Sequence, residues 1–573
     1  MLRSQAAAVV VSWLALSRLA GAADWVELKI DGFTVYGDDG EKAARKVAAR
    51  LEALRGFLRT EWPWARFVPE VPLVVVALEG EEQFRLLLPA ASAGKAERTA
   101  GVTFLEQHRT LVLLHGEVPE DPTEDNPHHA VFHEYVHTIL GRTLPLPTWL
   151  NEGLAEYWGS TKIKQREVEF GRPIGRHVLA LRVRSTLPLE TLFQVDTSSV
   201  HYREADRSTV FYAQSWALVH YLALAAPARK GQLNRLFGQL AEGRDEMEAT
   251  REVLGDFGAL KKELEVYVSR RSMPFVRKSR EQANEAARWP ARRLSKAEVL
   301  ALRGSVLLSG RRSGEGRPLI QEALKLEPGL GEAAEAMGIA AFVAEDRATS
   351  RDWLTRAEAS GRASFFTPYL LGLMIRLEKR PDASREAEAK LREAIRINPR
   401  FSLAYTALAA VLAERDGSRT EALQLLDEGV RLNRSSAVVR MGAVEVLLKL
   451  GEMDLARTHA RAAVRLAPSA RFKAQAAEMV AWLDSARAIS DVKSSPGLPA
   501  PEVAGPGRNQ AADAAVARLL EERCDAGEAE ACVALAAKLE RGAGVPVDKA
   551  KAVTLRARAC SAGLAAACAG VRP

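Results

Sequence analysis

The chemistry of this chain is best approached through two histidines and a glutamate. His133-Glu134-Tyr135-Val136-His137 sets two imidazoles four residues apart, between flanks that suit a helix, Ala130-Val131-Phe132 and Thr138-Ile139-Leu140. That spacing puts both rings on one helical face, where their nitrogens can bind a single metal ion. Glu134 directly follows the first histidine and can reach a water on that ion. A five-residue pattern is a short signal, so the residues downstream must supply the rest of a site. His128 and His129, just before the pattern, read as solvated residues at the helix start, and His220 reads as structural.

The downstream residues discriminate between classes. Leu140 and Thr143 stand three and six residues after His137, where a metzincin carries Gly and His, and they exclude that class. The phrase Leu146-Pro-Thr-Trp-Leu-Asn-Glu-Gly-Leu-Ala-Glu-Tyr157 instead resembles the gluzincins, the thermolysin- and aminopeptidase-like zinc peptidases. The resemblance implies a third ligand, Glu152, on the next helix, so that His133, His137 and Glu152 hold Zn2+. It further implies Glu134 as general base and Glu156 as the carboxylate that orients a ligand histidine. Such a set suits zinc, because three protein ligands leave one position for water and the imidazole N–H gains an acceptor. Asn151 and Gly153 are expected to start the helix and let it pack closely. Gluzincins often stabilise the oxyanion with a downstream tyrosine or histidine. Tyr212, in Phe211-Tyr-Ala-Gln-Ser-Trp-Ala-Leu-Val-His-Tyr221, is the candidate, with His201 and Tyr202 behind it. The likeness to exported peptidase MA-like bacterial proteins covers about Trp25 to Arg270.

The elements that must position these residues are legible as patterns. Trp25–Ile30 alternates as a strand does, Phe33–Tyr36 is a second short β-like run, and Val71–Ala77 reads as a buried strand. Val102–Leu105 and Thr110–Leu114 read as a strand pair, and by analogy the second is an edge for an extended substrate. Glu41 to Thr60 has helical spacing through Ala44, Val47, Leu51, Leu54 and Leu58, and helices dominate after Ala130. Strands first and helices after predict an α+β domain, thermolysin-like by the resemblance, over 24–275.

From 294 to 488 the chain is helical and periodic, behind a connector at 276–293. Leu-Glu-Pro328, Ile-Asn-Pro399 and Leu-Ala-Pro468 close similar phrases, and repeats start near 297, 331, 368, 403 and 437. Small residues such as Gly304, Gly338 and Ala410 recur where two helices must approach. This is similar to tetratricopeptide (TPR) repeats, an all-α solenoid that implies a groove for a protein partner. A Pro- and Gly-rich linker follows at 489–512. In the tail, 513–573, Cys524 and Cys532 recur as Cys560 and Cys568 with a shift of 36 residues. Four cysteines allow three pairings. The tail resembles Sel-like repeats, which imply Cys524–Cys532 and Cys560–Cys568, a short disulfide-stapled αα-repeat.

Length, charge and the N-terminus bound the rest. The 573 residues exceed one ordinary core, and 47% hydrophobic content excludes a mainly disordered chain. Eighty basic residues face 73 acidic ones, and no nucleic-acid motif accompanies that small excess. Met1-Leu2-Arg3, an apolar run from Ala6 to Leu16, and Ala20-Gly-Ala-Ala23 form a signal-peptide pattern over 1–23. No later run is long enough to span a membrane, and disulfides fit an oxidising compartment. The expected protein is an exported (periplasmic or extracellular) zinc peptidase acting on peptide or protein substrates. The alternative is a non-catalytic TPR scaffold with a structural or vestigial metal site.

Overall fold

The structure is a computed structural model. It describes residues 25–63, 65, 67–89, 101–115, 126, 129–143, 146–164, 166–196, 199–280, 289–378, 380–415, 417–467, 470–493, 521, 524–525, 529–541 and 545–561. The signal pattern at 1–23 and most of the expected linker lie outside them. The chain divides into one compact unit running to Ala488 and a second from Ile489 to Pro573.

The first unit is largely helical around a small sheet. Strands β1 (Val26–Ile30), β2 (Phe33–Gly37), β3 (Leu73–Leu78), β4 (Gly101–Leu105) and β5 (Thr110–His115) lie in the order β4-β5-β3-β2-β1. A sixth strand, numbered β9 below, joins at β1. Pairs β1–β2 and β4–β5 are antiparallel, while β2–β3 and β3–β5 are parallel. Leu73 and Val75 of β3 face one hydrophobic core while Val76 and Leu78 face another. Val112 and Leu114 of β5 alternate with Leu111 and Leu113 in the same way. A strand buried on both faces loses its polar alternation, which is why 71–77 reads as one apolar run. Because β5 lies between β3 and β4, it is not an edge. The edge strand on that side is β4, a correction to the expected substrate edge.

Helix α1 (Gly40–Glu61) packs on β1 and β2, and α2 (Glu81–Leu87) follows β3. Next come α3 (His129–Thr143), α4 (Thr148–Gly159), a small sheet from β6 (Lys162–Ile163) and β7 (Glu167–Phe170), α5 (Gly175–Val183), α6 (Leu189–Gln194), α7 (Val200–Arg203) and α8 (Ala205–His220). After a π-helical turn at Tyr221–Ala225 come α9 (Gln232–Ala241), α10 (Glu246–Leu254) and α11 (Phe257–Val268). The segment expected as a connector carries two strands. β8 (Val276–Ser279) pairs with β7, and β9 (Ala291–Arg293) pairs with β1.

Five helix pairs follow: α12 (Lys296–Ser309) with α13 (Ser313–Leu326), α14 (Gly331–Val343) with α15 (Arg347–Ala359), and α16 (Phe366–Arg376) with α17 (Ala383–Ile397). Then α18 (Ser402–Leu412) packs with α19 (Arg419–Leu432), and α20 (Ala437–Lys449) with α21 (Met453–Arg465), before α22 (Ala470–Lys493). This is a TPR-like helical array in the expected register. Its small residues are steric necessities: a Cβ on Gly304 would lie 2.6 Å from Ile320, and one on Gly338 would lie 2.7 Å from Leu354.

The array is part of the same core as the sheet. Val299, Leu300, Val306 and Leu307 of α12 pack with Val76, Leu111 and Leu113. Farther along, Val71 joins Phe365, Phe366, Tyr369 and Phe401. Glu70 fastens this contact. Its carboxylate accepts from the Ser402 amide (2.9 Å), the Ser402 hydroxyl and Asn433 Nδ2 (2.7 Å), and its carbonyl accepts from Asn398 Nδ2 (2.8 Å).

In the second unit, α23 (Ala529–Arg541) packs with α24 (Lys549–Ser561). Cys524 and Cys532 form a disulfide beside Leu535, Ala536 and Leu555. Cys560 is also disulfide-bonded. Its expected partner, Cys568, lies outside the described residues.

Removing the Glu70 carboxylate strands the donors of Ser402 and Asn433, a loss of about 1–3 kcal/mol for a buried unsatisfied group. Glu70→Ala should lower unfolding stability by that order in chemical denaturation. It should also speed hydrogen exchange at the Ser402 amide, while Glu70→Gln restores part of both.

Candidate metal centre

Helix α3 carries His133, Glu134 and His137, and α4 carries Glu152 and Glu156. The two helices pack together, and α4 packs on α8. Gly153 permits that second contact, since a Cβ there would meet the Ser215 carbonyl oxygen at 2.5 Å and Val219 at 2.7 Å. This close approach matches the role expected for Gly153. The expectation for Asn151 needs correcting. Helix α4 begins at Thr148 after Pro147, so Asn151 lies within its first turn, beside His137.

Three ligand atoms converge between these helices. His133 Nε2 and His137 Nε2 are 2.9 Å apart, and Glu152 Oε2 lies 3.4 Å and 3.2 Å from them. At zinc–ligand bonds of about 2.0–2.1 Å, tetrahedral ligands are separated by about 3.3–3.4 Å. Glu152 Oε2 is buried and, among the described residues, has no hydrogen-bond partner. That oxygen faces the two imidazole nitrogens, an arrangement open either to a protonated histidine or to a metal ion between the three groups. The three groups are strongly coupled electrostatically. Burial pushes the Glu152 carboxyl up, but the His137 and His133 rings outweigh it and hold it at about 2. Burial pushes the His137 ring down, yet the Glu152 carboxylate prevails and lifts it to about 9. Glu134 is half-buried, and its charge also acts on His137 and Tyr202, which places it near the cluster.

Behind the ligands, Glu156 organises a buried polar knot. Its Oε2 lies 2.8 Å from both His129 Nε2 and His177 Nε2, and 3.4 Å from Arg176 Nη2. Its Oε1 lies 3.4 Å from His133 Nδ1. An ionised carboxylate only accepts, so His129 and His177 carry their protons on Nε2. A proton on His133 Nδ1 leaves His133 Nε2 free to bind an ion. Burial raises the Glu156 carboxyl, but His177 and His129 hold it well below the usual range.

Sequence reasoning missed His129 and His177. His129 is 6% exposed, not solvated, and packs where Gly159 has no side chain: a Cβ there would meet the ring at 3.1 Å. One signal was available, since His129, His133 and His137 form a single four-residue series down one helix face. His177 has no such marker, because α5 brings it in from 21 residues beyond Glu156.

The tyrosines fall in a different order from that expected. Tyr202 touches the cluster, donating its hydroxyl to Glu152 Oε1 at 3.0 Å. Tyr212 stands one step out and hydrogen-bonds to the Tyr202 hydroxyl. Burial holds both phenols protonated. Among the described residues, His201 takes no part in the cluster. His220 is structural, as expected: its Nε2 donates to the Gly171 carbonyl (2.7 Å), and Tyr267 donates to its Nδ1 (2.7 Å).

A family described as "Protein of unknown function (DUF1570)" matches residues 127–242, the segment that carries every residue of this cluster. No curated protein matches the chain. Similar solved structures include a thermophilic TPR protein from Thermus thermophilus, 19% identical over 32% of this chain and 98% of that one, with a TM-score of 0.28. YrrB, described as a TPR protein with an unusual peptide-binding site, is 18% identical over 32% and 92%, with a TM-score of 0.26. A Sel1 repeat protein from Oxalobacter formigenes is 18% identical over 48% and 85%, with a TM-score of 0.22.

Two measurements test this geometry. Tyr202→Phe should weaken zinc binding about 10- to 100-fold by freeing the Glu152 carboxylate, whereas Tyr212→Phe should weaken it less, in competition with a chromophoric chelator. His220 should titrate by NMR at about 4 instead of 6.5, because burial disfavours its charged form. The sign follows from linkage: the unfolded chain binds that proton first, so His220 lowers stability as pH falls from 6.5 toward 4.

Proposed function

We propose that the first unit is a zinc-dependent hydrolase acting on peptide bonds, with His133, His137 and Glu152 as metal ligands. The observation that carries this reading is the convergence of His133 Nε2, His137 Nε2 and Glu152 Oε2 within 3.4 Å of one another beside Glu134. A bound zinc ion supplies Lewis acidity and lowers the pKa of a coordinated water toward about 7. The chain's own groups do the rest. Glu134 takes a proton from water on its carboxylate and returns it to the leaving amine. Glu156, with Oε1 3.4 Å from His133 Nδ1, sets a negative charge beside that ring, and Tyr202 holds Glu152 in place as a positioning residue. With the Tyr202 hydroxyl committed to Glu152, Tyr212 serves the oxyanion only if its bond to Tyr202 breaks on substrate binding. The tail disulfide suits an oxidising compartment, which supports the reading that the protein is exported. The fold of this unit is read as gluzincin-like on the strength of its ligand set.

A second reading is a protein-binding scaffold whose metal site is structural. It is supported by the extent of helical repeat in the chain, five hairpins in the array and another in the tail. The two readings part on Glu134, which a structural site does not require.

Zinc content and hydrolysis of a peptide library, measured beside Glu134→Gln, separate them. The hydrolase should bind one zinc per chain, and Glu134→Gln should lower kcat about 10²- to 10⁴-fold while retaining the metal. Zinc without hydrolysis by the unsubstituted chain favours the scaffold, and no zinc removes the metal site from both readings.

A further inference from the structure

The sheet face opposite the metal centre does not close completely onto the array. Between β1, β2 and β3 on one side and α12 and α14 on the other lies a cavity of about 480 Å³. Its helical wall is mostly apolar, with Ala301, Leu302, Ala336, Ile339 and Val343. A pocket of this size and lining, with a few fixed polar groups, has the form of a ligand site.

One carboxylate in it is built for a partner. Glu335 of α14 is 9% exposed and lines the cavity. Its Oε1 accepts from the Ser364 amide (3.2 Å), the Ser364 hydroxyl (2.6 Å) and the Thr367 hydroxyl (2.7 Å), which fixes its direction. Among the described residues, no donor reaches Oε2 and no cation stands at ion-pair distance. The surrounding cations are already matched. Arg109 bonds to Glu106, Ser305 and Ser309, while Arg292 spans Glu27 and Glu298, and Lys29 lies 3.7 Å from Glu27. Glu298 and Glu332 share Arg362. Burial pushes the Glu335 carboxyl up, against the opposing pull of its Ser364 and Thr367 donors and of the Arg109 charge beyond ion-pair distance.

The cavity also has an approach. Glu106, His108, Ile339 and Val343 continue into a second hollow of about 870 Å³, bounded further on by Phe342 and Phe366. Ile339, Phe342, Val343 and Phe366 interleave there with Glu106, Glu345 and Arg347, and a path offering both apolar and charged contacts suits a chain with a side chain inserted more than a compact molecule.

We propose that this cavity binds an extended peptide through a lysine or arginine side chain that pairs with Glu335. The site is separate from the metal cluster and does not depend on its chemistry.

The test is calorimetric binding of acetylated, amidated alanine hexapeptides with one central lysine, arginine or norleucine, and of n-butylamine. Glu335→Gln keeps the acceptor for Ser364 and Thr367 but removes the charge. Val343→Arg, at a position 77% exposed, sets a fixed cation at the mouth with little risk to folding. The lysine and arginine peptides should bind at least tenfold tighter than the norleucine peptide, and each substitution should abolish that preference. Equal affinity for all three peptides overturns the proposal. So does a preference that survives both substitutions, which would place the peptide elsewhere, including at the metal cluster. Binding of n-butylamine without the peptides overturns the peptide assignment and leaves a small-amine site.

Discussion

A carboxylate buried deep inside a protein is costly unless it is fully engaged, and the candidate metal site depends on how Glu156 meets that demand. Its two oxygens tie α3 through His129 and His133 and α5 through His177, while its own backbone belongs to α4. Three helices are thereby locked around one charge. Glu152 sits one turn earlier on the same helix, so the anchor that satisfies Glu156 also aims Glu152 at His133 and His137. Losing a donor to Glu156 leaves its buried charge less well compensated beneath the candidate site.

The second constraint is the sheet, whose central strands bury both faces. One face rests on the helices of the metal centre and the other on α12 and α14. The repeat array thus completes a core, which a detachable module would not. Glu70 and Val71 extend this contact to the later hairpins. The cavity beside Glu335 lies where the sheet and the first hairpins fail to close.

What the sequence made legible was local. The pairs His133/His137 and Glu152/Glu156 each obey four-residue spacing on one helix, and the repeat beat marks each hairpin by small residues that sterics require. What it hid was long-range. His177 reaches the site across a loop with nothing in its own neighbourhood to mark it as a partner of Glu156, and Tyr202, a candidate for the oxyanion, has Glu152 as its partner instead. β8 and β9 were hidden for a related reason. They are short, carry Arg and Lys, and take their identity from β7 and β1.

The return of the chain at β9 has a consequence for biosynthesis. β1 precedes by about 260 residues the Ala291–Arg293 strand that covers its outer edge, and Glu70 precedes Asn433 by 363 residues. At synthesis rates of about 5–20 residues per second, that edge stays uncovered for tens of seconds. Folding during synthesis therefore cannot complete the sheet before β9 is made. A strand edge left open so long invites pairing with other chains, so shielding of the nascent polypeptide matters most until β9 has emerged.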